Sequence, residues 1–313
     1  MGSDIHDGGT SVRAFLLFLS RREGLKNFVL RFGIFRRASR RFVAGETLDD
    51  AVAAVRDCNR QGMRASLDLL GENTRSREDA ERATGEVITM LDRIREEKID
   101  CNVSVKLTQL GLDLGKDYCY GNLMRIVRHA HGLGNFVRVD MEDSRYTQAT
   151  LDLVVRALKE CDNVGTVIQA YLYRSENDVR MLLEHGCRIR LCKGAYLEPE
   201  SVAFKRKKDT DANYVKLMKI LLDSGIYHAI ATHDEALINA ARDYARARKI
   251  APDRFEYQML FGIRRDLQQR LAGDGARVRI YIPYGTHWYP YFMRRLAERP
   301  ANVLFILRNV FRG

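Results

Sequence analysis

Short apolar runs in which every second residue is polar recur along this chain. Val103-Ser104-Val105-Lys106-Leu107 puts a hydroxyl and an ammonium on one face, and Val137-Arg138-Val139-Asp140-Met141-Glu142 does the same with charges alone. Ile189-Arg190-Leu191 and Val278-Arg279-Ile280-Tyr281-Ile282 repeat the pattern. Side chains of a strand alternate between its faces, so each run predicts a strand with one apolar and one charged face. If both faces are buried, the charges need partners, because an unpaired buried ion costs several kcal/mol. A polar ligand, anionic in character, is expected among them.

Strand-like runs are predicted at Arg64 to Leu70, Asn102 to Leu107, Phe136 to Met141, Thr166 to Tyr171, Arg188 to Lys193, His228 to Thr232, Phe255 to Leu260 and Arg277 to Ile282. Helical patterns separate them: Arg77 to Glu97, Tyr118 to His131, Thr147 to Cys161, Glu176 to His185, Glu200 to Ser224, Glu235 to Arg248 and Arg264 to Leu271. A last one, Trp288 to Glu298, follows the eighth strand. Strand and helix alternating eight times make an α/β chain and predict a distorted (β/α)8 TIM-like barrel preceded by N-terminal helices. An open doubly wound sheet is the alternative, weakened because no glycine-rich dinucleotide or phosphate loop follows any strand. The expected organisation is a basic helical arm over 1–60 and the barrel over 61–313.

Charge sharpens that division. The 313 residues carry a formal charge of +11. Nine arginines and lysines lie between Ser11 and Phe42 against the single acid Glu23, a local excess of +8, and they interleave with leucines and phenylalanines. Such an arm reads first as a solvated helix face packed on the rest of the protein, with attraction to an anionic membrane surface or nucleic acid as the alternative. The run Lys205 to Lys208 is expected to open the longest helix as a solvated face. The six cysteines show no zinc or redox spacing and read as reduced thiols in a reducing, cytoplasmic compartment. No secretory leader is evident, and Phe15 to Leu19 is too short to span a bilayer. No metal site is expected.

In a barrel, chemistry sits at the carboxyl ends of the strands. This chain places Glu72, Lys106, Asp140, Gln169, Arg190 with Lys193, Thr232 with His233, and Tyr281 there. Each alone reads equally as a structural residue; the set together reads as a site. A second constellation lies on the last helix, where Tyr291 shares a side with Arg294 and Arg295 and Glu298 can brace either arginine. Paired guanidiniums suit a carboxylate, and the tyrosines suit a small, flat, partly apolar body attached to it.

Eight ordered motifs then identify a family. VSVKLTQLG (103–111), VRVDMED (137–143), IQAYL (168–172), RIRLCKGAY (188–196), ATH (231–233), FEYQMLFG (255–262), RIYIPYG (279–285) and YFMRRLAE (291–298) together resemble proline dehydrogenase, across essentially the whole chain from the basic arm onward. The resemblance implies non-covalent FAD at the carboxyl ends of the strands and oxidation of L-proline to 1-pyrroline-5-carboxylate, the first step of proline catabolism to glutamate. By position, Lys106, Arg294 and Arg295 would hold the substrate carboxylate, and Tyr196, Tyr281 and Tyr291 would enclose the ring. Arg190 would stand at the flavin N5 edge with Asp140 in the network beside it. Met141 through its backbone, Gln169, Lys193, Gly194, Ala195, Thr232 and His233 would contact FAD, and Glu72 would brace an active-site arginine.

The resemblance also implies reoxidation by a membrane quinone, which gives the basic arm a role on the inner face of a membrane, and product transfer to a separate pyrroline-5-carboxylate dehydrogenase. No nucleic acid is expected. Tyr281 is typical of the proline-preferring branch, where a smaller residue marks the trans-4-hydroxy-L-proline branch. Leu197 replaces a tryptophan carried by some members, and Cys192 a valine. The rival readings are a (β/α)8 lyase with Lys106 or Lys193 as Schiff-base nucleophile and a binding module in which the barrel is only scaffold.

Overall fold

The computed structural model describes residues 39–71 and 73–298, and of 296–298 the backbone alone. Eight parallel strands close into a barrel in sequence order: β1 (Arg64–Leu69), β2 (Cys101–Val105), β3 (Val137–Val139), β4 (Val164–Gln169), β5 (Arg188–Cys192), β6 (His228–Ala231), β7 (Phe255–Leu260) and β8 (Val278–Tyr284). The seam is made by β1 and β8, with Ser66 opposite Tyr281 and Asp68 opposite Pro283. A helix α1 (Leu48–Arg60) precedes the barrel. It is held at its start by a reciprocal cap between Thr47 and Asp50 and buries Ala51, Val52, Val55 and Cys58.

The connecting helices are α2 (Arg77–Glu96), α3 (Lys116–Gly132), α4 (Thr147–Leu158), α5 (Ser175–Glu184), α6 (Lys207–Asp223), α7 (Glu235–Ala247) and α8 (Arg265–Gly273), and α9 (Trp288–Glu298) closes the series. Their apolar stripes pack on the outward faces of the strands in one continuous core. It includes Leu67, Val103, Val139, Ile168, Leu191, Ile230, Met259 and Ile282 from the strands and Met90, Leu123, Leu151, Leu182 and Leu217 from the helices. Each such residue, removed from water, contributes about 1.5–3 kcal/mol, so the outer layer is where the barrel acquires its stability.

Two predicted elements are corrected. Residues 200–206 are not helical, so the basic run Lys205 to Lys208 does not open the longest helix: α6 starts at Lys207, and α2, with 20 residues, is the longest described. The cause is tertiary pairing. Ala203 forms an isolated antiparallel bridge with Leu172, and the Phe204 amide donates to the Tyr171 carbonyl at 2.7 Å. The fourth strand begins at Val164, two residues earlier than expected, and takes Gly165 inside it. A side chain there would fall on the Arg188 carbonyl of β5 and on the Arg138 guanidinium. Glycine lets the two strands and that arginine close up.

All six cysteines are unpaired. No described helix is long and apolar enough to cross a membrane. The basic stretch from Ser11 lies outside the described residues as far as Ala38, as does Glu72.

Candidate active site

The inward faces of the strands carry the charges that the alternation placed there, and the barrel satisfies most of them internally. Lys106, Arg138, Arg190 and Arg279 share the interior with the carboxylates Asp68, Asp140 and Glu256, all of them buried. Lys106 Nζ donates to Asp68 Oδ1 at 2.7 Å and lies 3.8 Å from Asp140. Arg190 Nη1 donates to Asp140 Oδ1 at 2.7 Å. Tyr281 joins the two pairs: its hydroxyl donates to Asp140 Oδ2 at 2.8 Å and stands 3.4 Å from Lys106 Nζ. The anionic ligand expected from the sequence is therefore not needed to neutralise most of these groups, because they neutralise one another.

Two cations remain distinct. Arg138 has no carboxylate partner among the described residues: it donates to the Thr166 carbonyl at 3.0 Å and to the Arg188 carbonyl, and stacks 4.8 Å from the Phe136 ring. Burial and the like charge of Arg190 push its guanidinium down to about 9. Arg190 is held in three directions. Besides Asp140 it donates Nη2 to Ser104 Oγ at 3.1 Å and Nε to Gln258 Oε1 at 2.5 Å, with its guanidinium 5.2 Å from the centre of the Tyr281 ring. Burial raises Asp68 and the nearby Asp140 adds to the rise, against the opposing charge of Lys106. The Tyr281 hydroxyl is pushed well above its ordinary range by burial and by Asp140, so it stays a donor.

The other predicted residues gather at the same end of the barrel. Thr232 and Lys193, beyond β6 and β5, meet through Asp234: Lys193 Nζ lies 2.9 Å from Asp234 Oδ2, and the Asp234 amide donates to Thr232 Oγ1 at 3.1 Å. Lys193 also pairs with Asp211 at 2.6 Å. His233 accepts a bond from the Leu260 amide on Nε2 at 2.9 Å, which leaves the proton of its neutral ring on Nδ1. Gln169 donates to the Glu142 carbonyl at 2.8 Å, while the Glu142 carboxylate accepts from the Thr108 amide and hydroxyl, so the loops after β2, β3 and β4 are tied together beside Met141. Gly194 adopts φ +117°, and any side chain there would strike the Tyr171 ring, so its backbone runs close over that ring, just beyond β4.

On α9 the expected pairing of Tyr291 is seen with Arg295, while Arg294 turns to a different ring. Arg295 lies over the Tyr291 ring at 5.1 Å, and Arg294 lies over the ring of Tyr196, from the loop after β5, at 5.8 Å. Glu298 ends the helix with its side chain outside the described atoms. A cavity of about 1210 Å³ opens beside this group, bordered by Leu70, Tyr196, Tyr284, Tyr291 and Arg294. Gln169, Lys193, Thr232 and His233 do not border it, so the volume marks the α9 side of the site and not the β4 to β6 side. Three interior residues escape the sequence reading: Asp68, Glu256 and Gln258. The same alternation signals them, in Ser66-Leu67-Asp68-Leu69 and Phe255-Glu256-Tyr257-Gln258-Met259.

The proline dehydrogenase family model matches residues 51–308. The chain belongs to the proline dehydrogenase family. It is 40% identical over 301 residues to proline dehydrogenase 1 of Bacillus subtilis subsp. natto, covering 96% of this chain and 99% of that one. It is 42% identical over 278 residues to the proline dehydrogenase of Deinococcus radiodurans, covering 87% and 90%. Among solved structures it is similar to proline utilization A from Bdellovibrio bacteriovorus inactivated by N-propargylglycine, with a TM-score of 0.80 and 26% identity over 92% of this chain. The chain spans 36% of the length of that larger protein. Membership makes this chain an oxidoreductase, and the closed eight-stranded barrel is the architecture the family shares.

Proposed function

We propose that this enzyme oxidises L-proline to 1-pyrroline-5-carboxylate with non-covalently bound FAD. The observation that carries the proposal is the bonded set Asp68, Lys106, Tyr281, Asp140 and Arg190. The residues present fit a flavin on a count of donors. A guanidinium has five N–H groups, and among the described residues Arg190 uses three of them on protein acceptors. The two left lie on Nη1 and Nη2, available to an acceptor edge placed at the mouth of the barrel. Gln169, the backbone at Met141, Lys193, Gly194, Ala195, Thr232 and His233 would hold the rest of the cofactor.

FAD, when bound, supplies the two-electron acceptor. Everything else is positioning by this chain. Lys106, Arg294 and Arg295 hold the carboxylate, which fixes the ring carbon next to nitrogen in one place. Tyr196, Tyr281 and Tyr291 pack against the ring and exclude water. Arg190 presents a fixed positive charge where negative charge develops on reduction, and a charge already oriented costs no reorganisation at that moment. The amine must be unprotonated when the carbon gives up its hydrogen with the bonding pair, and close packing at roughly 3–3.5 Å is required. Tyr281, its hydroxyl committed to Asp140, fills the space that a ring hydroxyl would need, which favours proline over trans-4-hydroxy-L-proline.

The further expectations follow from the family and from the +8 excess between Ser11 and Phe42: electrons pass to a membrane quinone at an anionic surface, and the product passes to a separate pyrroline-5-carboxylate dehydrogenase. The visible spectrum of the purified protein tests the core of the proposal. A flavin spectrum that bleaches anaerobically with L-proline, and not comparably with trans-4-hydroxy-L-proline, is expected. A protein that takes up no FAD and does not respond to proline would overturn it.

A further inference from the structure

Beyond Arg190 the interior network continues onto β7 and β8 through residues that are not themselves among the predicted substrate or cofactor contacts. Gln258, inward-facing on β7, accepts from Arg190 Nε on Oε1 at 2.5 Å and donates from Nε2 to Glu256 Oε1 at 2.5 Å. Glu256, two residues earlier on the same face, is 2% exposed. Arg279 Nε grips both of its oxygens, at 2.9 and 3.1 Å, and the Tyr227 hydroxyl donates to Oε2 at 2.9 Å. Arg279 is anchored in turn by the Ala65 carbonyl of β1 at 2.7 Å.

An amide side chain presents oxygen on one side and NH2 on the other, and the two have nearly the same shape. Left to itself, Gln258 could face Arg190 with either. Only oxygen can accept from an arginine N–H; the NH2 group would oppose donor to donor. Glu256 removes the choice, because an ionised carboxylate is acceptor-only and demands the NH2 group. Burial alone would raise the Glu256 carboxyl, but the Arg279 charge and the bonds from Arg279, Gln258 and Tyr227 outweigh it and hold the group below its ordinary range. We propose that Gln258, oriented by Glu256 and Arg279, is a positioning residue that fixes the Arg190 guanidinium in the plane facing the cofactor. The inference rests on the flavin reading above and adds a second layer to it: the orientation of the cation is set by residues of β7 and β8.

The geometry makes this more than packing. Asp140, just past the end of β3, and Ser104, on β2, hold the two Nη atoms of Arg190, and Gln258 alone holds Nε, from β7. Three such anchors define a plane, whereas two would leave the guanidinium free to pivot about the line joining them.

The test is a double-mutant cycle on the FAD-loaded full chain, pairing Gln258→Met with Arg190→Lys. Gln258→Met keeps the length and loses both bonds; Arg190→Lys keeps the charge and loses the plane. Gln258→Met is expected to lower kcat for L-proline about tenfold with little change in KM. It should also shift the relative affinity for reduced and oxidised FAD about tenfold, read as a fall of about 30 mV in the flavin midpoint potential. In the Arg190→Lys background the same substitution should add almost nothing, because the two act as one unit. Equal effects of Gln258→Met in both backgrounds, or no shift of potential in the first, would overturn the proposal. If Gln258→Met does not fold, Glu256→Gln takes its place in the cycle, since it keeps the shape and frees the amide to turn. A wild-type protein that binds no FAD would sink the functional reading instead, so the two failures are distinguishable.

Discussion

The two faces of the barrel strands solve different problems. Outward, Leu67, Val103, Val139, Ile168, Leu191 and Ile282 meet helices and contain nothing to hydrogen-bond. Inward, at the very next positions, Ser66, Asp68, Ser104, Asp140, Arg190 and Tyr281 form a network in which nearly every bond crosses to another strand. Replacing a buried ion pair by apolar residues is often neutral or stabilising. The inner face therefore spends stability on holding charges in fixed directions, and the outer face supplies it. Adjacent residues of one strand should separate stability from activity.

The largest effect is expected inside. Arg190→Met should lower kcat/KM for L-proline roughly 10²- to 10³-fold, the usual cost of removing one oriented electrostatic group, measured by anaerobic stopped-flow reduction of the flavin. Near-wild-type reduction would dissolve the contrast between the faces. On the outer face, Leu67→Ala should destabilise the fold by roughly 2–5 kcal/mol in urea unfolding while the remaining folded protein keeps its specific activity. A loss of activity per folded molecule would mean that the two faces are coupled through the strand.

The third prediction concerns a polar residue on the apolar side. His228, on the outward face of β6, accepts from the Ile189 amide on Nδ1 at 3.0 Å and bonds Ser224 Oγ through Nε2. Burial, with Arg138 adding repulsion, lowers its ring to about 3. Its folded value lies below the unfolded one near 6.5, so between the two the unfolded chain binds the extra proton. The stabilisation is complete above pH 6.5 and is lost as the pH falls toward 3. From pH 6.5 to pH 4 the wild type should lose about 3 kcal/mol that His228→Gln does not, which thermal unfolding at both pH values will show. Equal losses would place the acid sensitivity elsewhere.

Much of this was legible in the sequence, for a physical reason. Alternation reports faces directly, so the eight strands and the polar interior follow from it. Asp140, Arg190, Lys106 and Tyr281, picked out one by one, form a single bonded set. What could not be read was pairing. Asp68 and Glu256 sit in the same alternating pattern, yet nothing along the chain says that Lys106 takes the first or Arg279 the second, because those contacts cross 38 and 23 residues. The misread helix over 200–206 fails in the same way, since its backbone groups are taken by Tyr171 and Tyr173 on a different loop. Glu72, the side chain of Glu298 and most of the basic arm lie outside the described residues, and their roles stay proposals.

The bond from Arg279 to the Ala65 carbonyl spans 214 residues. On a ribosome, this seam is made almost last. Arg279 emerges only after the strand carrying Glu256, and Tyr281 only after the Lys106–Asp68 and Arg190–Asp140 pairs can form, so until β8 is made the Glu256 carboxylate lacks its cation and the two pairs lack the hydroxyl that joins them. A nascent chain that has lost its last strand to premature termination would hold seven strands and their apolar faces yet be unable to close around its own charges. The interior network thus doubles as a proof of completeness: its buried carboxylates are all matched only on a chain read through to β8.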